Sequence, residues 1–281
     1  MSTYVMTDIH GHFDAMKRML DKIGFSKEDR LICAGDYIDR GPNSYEMLRW
    51  IESPGENIIL VRGNHDEEFR YCVEAMGMIF QKCGLDTASV EDTLSVYGTI
   101  RKMTSYFDLY GTIGNLVKER RTAFEQLSVW AGCIGKMPYY YETVMNGRRC
   151  IVVHGGYIES LECLEGLDTD GSYDSLEDFY LKARDDAYRY GGVEHGMIIA
   201  GHTPTTAIYE LPFNHGNVYR VYDEEMDCIF YDLDCGYAFK NIQPEAKLAC
   251  LSLEDEKIFY LKANMKTSAF KVRCIVYCIK N

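Results

Sequence analysis

The chain has 281 residues, 47% of them hydrophobic, and a net charge of −13. That apolar content fills one well-packed domain. The acidic balance argues against a nucleic-acid duplex as partner, because phosphate backbones require a basic footprint. A small phosphorylated ligand stays open, since bound metal inverts the local sign. Eleven cysteines are scattered with no C-x-x-C pair, which speaks against a zinc ribbon or disulfide framework and for reduced thiols acting as small core hydrophobes. No apolar run reaches bilayer-spanning length, and the N-terminus enters a strand-like run at once. No membrane contact and a cytoplasmic location are therefore expected.

In chain order, "TYVMT" (Thr3–Thr7) reads as a short strand, and Phe13, Met16, Met19, Leu20 and Ile23 recur at helical spacing. "RLICA" (Arg30–Ala34) is strand-like. "NSYEMLRWI" (Asn43–Ile51) reads as a helix with Asn43 or Ser44 at its N-cap, and "NIILV" (Asn57–Val61) as a third strand. This alternation predicts parallel pairing. Residues 66–135 carry helix formers and no clear strand, and are expected to form a helical insert with Tyr106, Phe107 and Tyr110 in its core. Two β-rich runs then flank Asn146-Gly147, the dipeptide of a type I′ hairpin turn, and Tyr139–Tyr141 there read as strand packing. A helix is expected over Leu176–Tyr190. Strand runs follow in "GMIIAGHT", "VYRVY", "CIFYDLDCG", "KLACLSL", "KIFYLKA" and "AFKVRCIVYCIK". The expected fold is one α/β domain over residues 1–281, with two mixed β-sheets packed as a sandwich and helices outside.

Five predicted strands end in Asp, Asn or His beside glycine: Asp8 and His10, Asp36 and Asp39, Asn64 and His65, His154, and His202. Ligands collect beyond the carboxyl ends of such strands, and glycine lets backbone approach an ion or phosphate closely. One such end would be ordinary turn chemistry. Five in order, four of them with histidine, point to a metal centre. Carboxylate, amide and imidazole donors without cysteine suit Mn²⁺, Fe, Zn²⁺ or Mg²⁺. Asp8, His10, Asp36, Asn64, His154 and His202 are too many for one ion that keeps open positions, and suit two ions about 3.5–4 Å apart bridged by a carboxylate.

The blocks "DIHG" (Asp8–Gly11), "GDYIDRG" (Gly35–Gly41), "GNHD" (Gly63–Asp66), "HGG" (His154–Gly156) and "GHTP" (Gly201–Pro204) resemble, in order, the signature of the phosphoprotein phosphatase family of binuclear metallophosphoesterases, its bacterial and phage branch above all. The resemblance runs from Asp8 to Pro204. It implies a β-sandwich flanked by helices and two divalent ions per chain, with Mn²⁺ first and Fe or Zn as alternatives. Asp8, His10 and Asp36 would hold one ion, and Asp36, Asn64, His154 and His202 the other. His65 would protonate the leaving alkoxide, oriented by Asp39. Arg40 would clamp phosphate oxygens, with Asn64 also facing substrate. A second arginine would come from the helical region after the HGG block: Arg184 in "YLKARDD", with Arg189 as the fallback. Thr7 stands where the family has glycine, which implies a local backbone change rather than lost activity.

The activity implied is metal-dependent hydrolysis of phosphoserine and phosphothreonine in proteins. A symmetrical dinucleoside tetraphosphatase-like hydrolase is the alternative, since that relative shares GNHD and a similar "RGPNSYEMLRWI" helix. Partners would accordingly be a phosphorylated protein or a small phosphoester or nucleotide. A non-catalytic phosphoprotein-binding scaffold is the rival from another class, and the filled ligand set speaks against it. His12, His195 and His215 read as ordinary residues, His12 being near enough to the site to touch substrate. Asp232 and Asp234 fit a turn as well as they fit a hydrogen bond to a ligand histidine.

Overall fold

The computed structural model describes residues 1–84, 88–103, 108–169, 171–207 and 215–263. The run "AFKVRCIVYCIK", Tyr106 and Phe107 lie outside these residues.

Three strands of the first third, β1 (Thr3–Met6), β2 (Arg30–Ala34) and β3 (Ile58–Val61), pair in parallel. Helices α1 (Phe13–Ile23) and α2 (Ser44–Glu52) connect them. Asn43 stands at the N-cap of α2 but makes no side-chain cap bond. Among the described residues no strand lies between Val61 and Tyr140, and four helices occupy that span: α3 (Asn64–Lys82), α4 (Val90–Met103), α5 (Thr112–Glu119) and α6 (Phe124–Gly135). The hairpin β4 (Tyr140–Met145) and β5 (Arg148–Val153) turns at Asn146 and Gly147, with φ of 51° and 79°. Both values are positive, as a type I′ turn requires.

The helix expected over Leu176–Tyr190 is broken. Helix α7 (Leu176–Lys182) ends at Ala183, and α8 (Asp185–Arg189) starts with Arg184 at its N-cap. The cause is long-range. The backbone N–H of Gly155 donates to Tyr180 O at 2.6 Å, and a Cβ on Gly155 would lie 3.0 Å from Ala183 N. The HGG loop thus sits against the elbow. Strands β6 (Gly196–Ala200), β7 (Tyr219–Asp223), β8 (Cys228–Asp232), β9 (Lys247–Ser252) and β10 (Ile258–Lys262) complete the order.

The strands form two five-stranded mixed sheets, β10-β9-β1-β2-β3 and β4-β5-β6-β8-β7. In the first, β1, β2 and β3 run parallel and β9 and β10 add antiparallel strands on the β1 side; in the second, β5, β6 and β8 run parallel between the antiparallel edges β4 and β7. Period-2 alternation decides which side chains meet. Val5, Ile32, Ala34, Val152, Ile199 and Tyr231 fill the space between the sheets. Their neighbours Tyr4, Met6, Leu31 and Cys33 face α1 to α6, and Ile151, Val153, Ile198 and Phe230 face α7 and α8. The result is the expected sandwich with helices on both outer faces. None of the described helices is long and apolar enough to cross a membrane.

Arg62, just past β3, fastens the insert to this frame. The residue is only 5% exposed, and its guanidinium donates to Gly135 O (2.8 Å), Met137 O (2.9 Å) and Glu67 Oε2 (3.1 Å). Arg62→Met should cost about 2–4 kcal/mol, since it orphans two buried carbonyls while Arg70 still pairs Glu67. Urea unfolding followed by circular dichroism measures this; a loss below about 1 kcal/mol would contradict the fastening role.

Candidate metal centre

The parallel strands of both sheets deliver their carboxyl ends to one place. The first sheet supplies Asp8 and His10 after β1, Asp36, Asp39 and Arg40 after β2, and Asn64 and His65 where β3 runs into α3. The second supplies His154 after β5 and His202 after β6. Six of these residues hold left-handed backbone: Asp8 (φ 51°), His10 (44°), Asp36 (56°), Asp39 (70°), Arg40 (63°) and His202 (69°). Such conformations cost on the order of 1–3 kcal/mol each and gather where a site is preorganised. A Cβ on Gly63 would fall 2.2 Å from the Asp36 backbone nitrogen, so only glycine lets the β2 and β3 loops touch.

Asp36 lies at the centre. Its Oδ2 is 3.4 Å from His10 Nε2 and 3.8 Å from His65 Nε2, and its Oδ1 is 3.3 Å from His154 Nε2. Two donor clusters share it, one with His10 and His65 and one with His154 and His202. Asp8 Oδ1 is 3.8 Å from His10 Nε2, and Asn64 Oδ1 is 3.0 Å from His154 Nε2. All six sequence-selected ligand candidates are thereby brought together.

The hydrogen bonds behind the donors fit metal ligation. His10 Nδ1 donates to Ile38 O and His154 Nδ1 to Ala34 O, each at 2.8 Å. This tautomer leaves both Nε2 lone pairs facing the cluster. Burial, followed by the charges of Arg40 and His65, outweighs the pull of Asp36 and lowers His10 to about 3. Burial also lowers His202, helped by His154 and Arg184. Neutral imidazole is the ligating form. The donor set therefore suits a binuclear centre of divalent ions.

His65 is placed differently. Its Nδ1–H donates to Asp39 Oδ2 at 2.6 Å. Burial opposes a charge on the ring, yet Asp36 and this bond to Asp39 prevail and raise it to about 9. Arg40 sends one guanidinium nitrogen to His10 Nε2 (3.1 Å) and another toward His65 Nε2 (3.2 Å). The His10 atom offered to a metal is also the one Arg40 contacts, so guanidinium and ion compete for it. Arg184 lies near enough to His202 and Asp232 to act on both electrostatically, whereas Arg189 faces Asp185 at 3.7 Å.

Several contributors escaped sequence reasoning. Asp66, fully buried, accepts the backbone N–H groups of Asp36 (2.8 Å), Gly63 (3.0 Å) and Tyr37 (3.1 Å). Thr7 lies 2.6 Å from Asp8 Oδ2, which also accepts the His202 N–H at 3.0 Å. That oxygen is saturated, and Oδ1 remains for the cluster. Thr112 in α5 donates its hydroxyl to Asp39 Oδ1, so the insert buttresses the Asp39–His65 pair. Tyr110 corrects the expectation of an insert-core residue: it is 41% exposed, its hydroxyl accepts from Arg40 at 3.2 Å, and its ring centroid is 5.2 Å from that of His65. The Gly111-Thr112 helix start, with Asp108 accepting the N–H groups of Ile113 and Gly114, turns that segment inward.

Asp232 and Asp234 accept the N–H groups of Asp234 and Gly236, the turn arrangement. His195 and His215 pair with Asp227 and Glu245 at the surface. Tyr140 packs against Tyr157 and Tyr180, in keeping with strand packing.

Comparison with known proteins agrees with this centre. The family profile described as calcineurin-like phosphoesterase matches residues 1–238. A symmetrical bis(5'-nucleosyl)-tetraphosphatase of Buchnera aphidicola subsp. Baizongia pistaciae is 48% identical over 67 residues, 24% of each chain. The match thus spans about a quarter of that relative's length. Among solved structures, a candidate diadenosine tetraphosphatase aligns with TM-score 0.52 and 14% identity over 93% of each chain. A metallophosphoesterase from Sphaerobacter thermophilus aligns with TM-score 0.51 and 13% identity over 95% of this chain and 89% of its own. At such identity the likeness is one of fold.

Asp66→Ala orphans three buried N–H groups, at roughly 1–3 kcal/mol each, and frees the loop carrying Asp36. Manganese bound per chain, measured by plasma mass spectrometry, should fall below that of the unmodified protein. Undiminished binding would show that Asp66 does not brace the site.

Proposed function

We propose that this chain, which belongs to the calcineurin-like phosphoesterase family, hydrolyses dinucleoside polyphosphates at a phosphoanhydride bond. The observation that carries the substrate class is an aromatic bracket around the phosphate clamp. The Arg40 guanidinium lies 5.1 Å from the Tyr110 ring and 4.9 Å from that of Phe239. Such rings stack on nucleobases while the cation holds phosphate. A cleft of about 470 Å³ continues from Arg40 past Tyr45, Tyr110 and Asn115 to Arg120, a volume suited to a nucleotide. The tetraphosphatase names of the partial relatives support the same reading.

In this proposal Asp8, His10 and Asp36 hold one divalent ion, and Asp36, Asn64, His154 and His202 the other. Ions there supply Lewis-acid charge and lower the pKa of water. The chain does the rest. Arg40 binds oxygens of the scissile phosphate through its planar fork, with Arg184 on the His202 side. His65 holds a proton at Nε2 for the departing oxygen, while Asp39, itself bonded by Thr112, fixes the ring through Nδ1. The aromatic walls exclude water from the leaving nucleotide.

Hydrolysis of diadenosine tetraphosphate and of a phosphothreonine peptide by manganese-reloaded protein, assayed in parallel, tests this. Dinucleotide should show the higher kcat/KM; preference for the peptide would overturn the substrate class in favour of the phosphoprotein reading of the motif blocks. His65→Asn should keep the metal and cut turnover of an alkyl phosphoester by roughly 10²–10⁴-fold. The loss should be smaller on the anhydride, whose leaving phosphate is a weaker base than an alkoxide. Equal losses would remove the acid role.

A further inference from the structure

One residue along the chain from Phe239 begins a second group of cations that the steps above do not use. Phe239, whose ring flanks Arg40, is followed by Lys240. The Lys240 ammonium lies 2.9 Å from His12 Nδ1 and 2.8 Å from His12 Nε2. A neutral imidazole offers one lone pair, so the ring satisfies at most one of the three ammonium N–H groups. Arg18 reaches the same corner and donates to Tyr237 Oη at 3.2 Å. The Tyr237 ring lies 5.1 Å from that of His12 and 4.9 Å from the ammonium. Among the described residues, no carboxylate is paired with Lys240 or Arg18. Helix α1 also begins here at Phe13, with His12 at its N-cap and no side-chain cap bond. The N-terminal end of its dipole therefore adds positive potential.

Partly buried like charges without a counter-ion are costly. Burial and the Arg18 charge hold Lys240 below the usual lysine range. In a chain of net charge −13 a carboxylate would be the easy neutraliser, and among the described residues none is provided. The chain ties this corner to the metal centre twice: His12 is two residues from His10, and Lys240 adjoins Phe239, whose ring lies against Arg40.

We propose that Lys240 and His12, with Arg18 behind them, form a subsite for the phosphate next to the scissile one in a polyphosphate chain. The inference rests on the polyphosphate reading above and adds to it the residues that count phosphates. A substrate with a single phosphate, such as a phosphopeptide, has nothing to place there. A nucleoside diphosphate with its terminal phosphate at the metals directs its inner phosphate to Lys240.

Titration calorimetry of ADP and AMP into the manganese-loaded protein, at equal free manganese, reads the subsite without turnover. ADP should bind about tenfold more tightly than AMP, the effect of one charge-assisted contact. In Lys240→Gln that ratio should collapse to near one, and in Lys240→Arg it should persist. A ratio near one in the unmodified protein, or an undiminished ratio in Lys240→Gln, would overturn the subsite. The diadenosine tetraphosphate assay fails independently: a protein that discriminates ADP from AMP through Lys240 and leaves the dinucleotide intact keeps the subsite and loses the activity.

Discussion

A carboxylate kept charged away from water is the constraint around which the centre is built. Asp36 is 2% exposed. Burial alone would neutralise it, but His154, His65 and His10 outweigh that and hold its pKa well below the usual range. Their rings come from both sheets, so the two sheet ends must meet within hydrogen-bond distance of one side chain. Cross-sheet bonds from His154 to Ala34 O and from the His202 N–H to Asp8 do this. The left-handed turns at Asp8, His10, Asp36 and His202 are the backbone form of the same demand. A buried anion ringed by imidazole donors calls for cations, and that links the fold to metal chemistry.

The parts legible in the sequence were those whose cause is local. Strand limits such as Arg30–Ala34 follow from an apolar run ended by glycine, and the Asn146-Gly147 turn follows from two residues able to hold positive φ. The candidate ligands were legible because each sits at a strand end. What escaped depends on contacts between distant segments. Thr112 reaches Asp39 across 73 residues, and Tyr110 reaches Arg40 across 70. No periodicity within the insert announces either contact. The break at Ala183 follows from the close approach of Gly155, and "YLKARDD" alone reads as an unbroken helix. Asp66 sits inside a quoted motif, yet its three backbone contacts were invisible there, because the N–H groups it receives belong to loops brought together only by folding.

The walls around Arg40 depend on the same long-range contacts. A 67-residue match cannot hold both partners of a contact 73 residues apart. Tyr110 from the insert and Phe239 from the segment after β8 bracket Arg40 from distant parts of the chain. A different insert on the same metal frame would leave the donors in place and change what lies over them. The strand ends supply the donors, while the insert and the turn after β8 supply what lies over them, Thr112 also reaching in to Asp39.

Electron paramagnetic resonance of the manganese-loaded protein examines the shared carboxylate most directly. Two ions bridged by Asp36 should give an exchange-coupled pair signal at two manganese per chain, lost together with bound metal in Asp36→Asn. Isolated, uncoupled manganese at full loading, or a coupled pair that survives Asp36→Asn, would contradict the placement of Asp36 between the two ions.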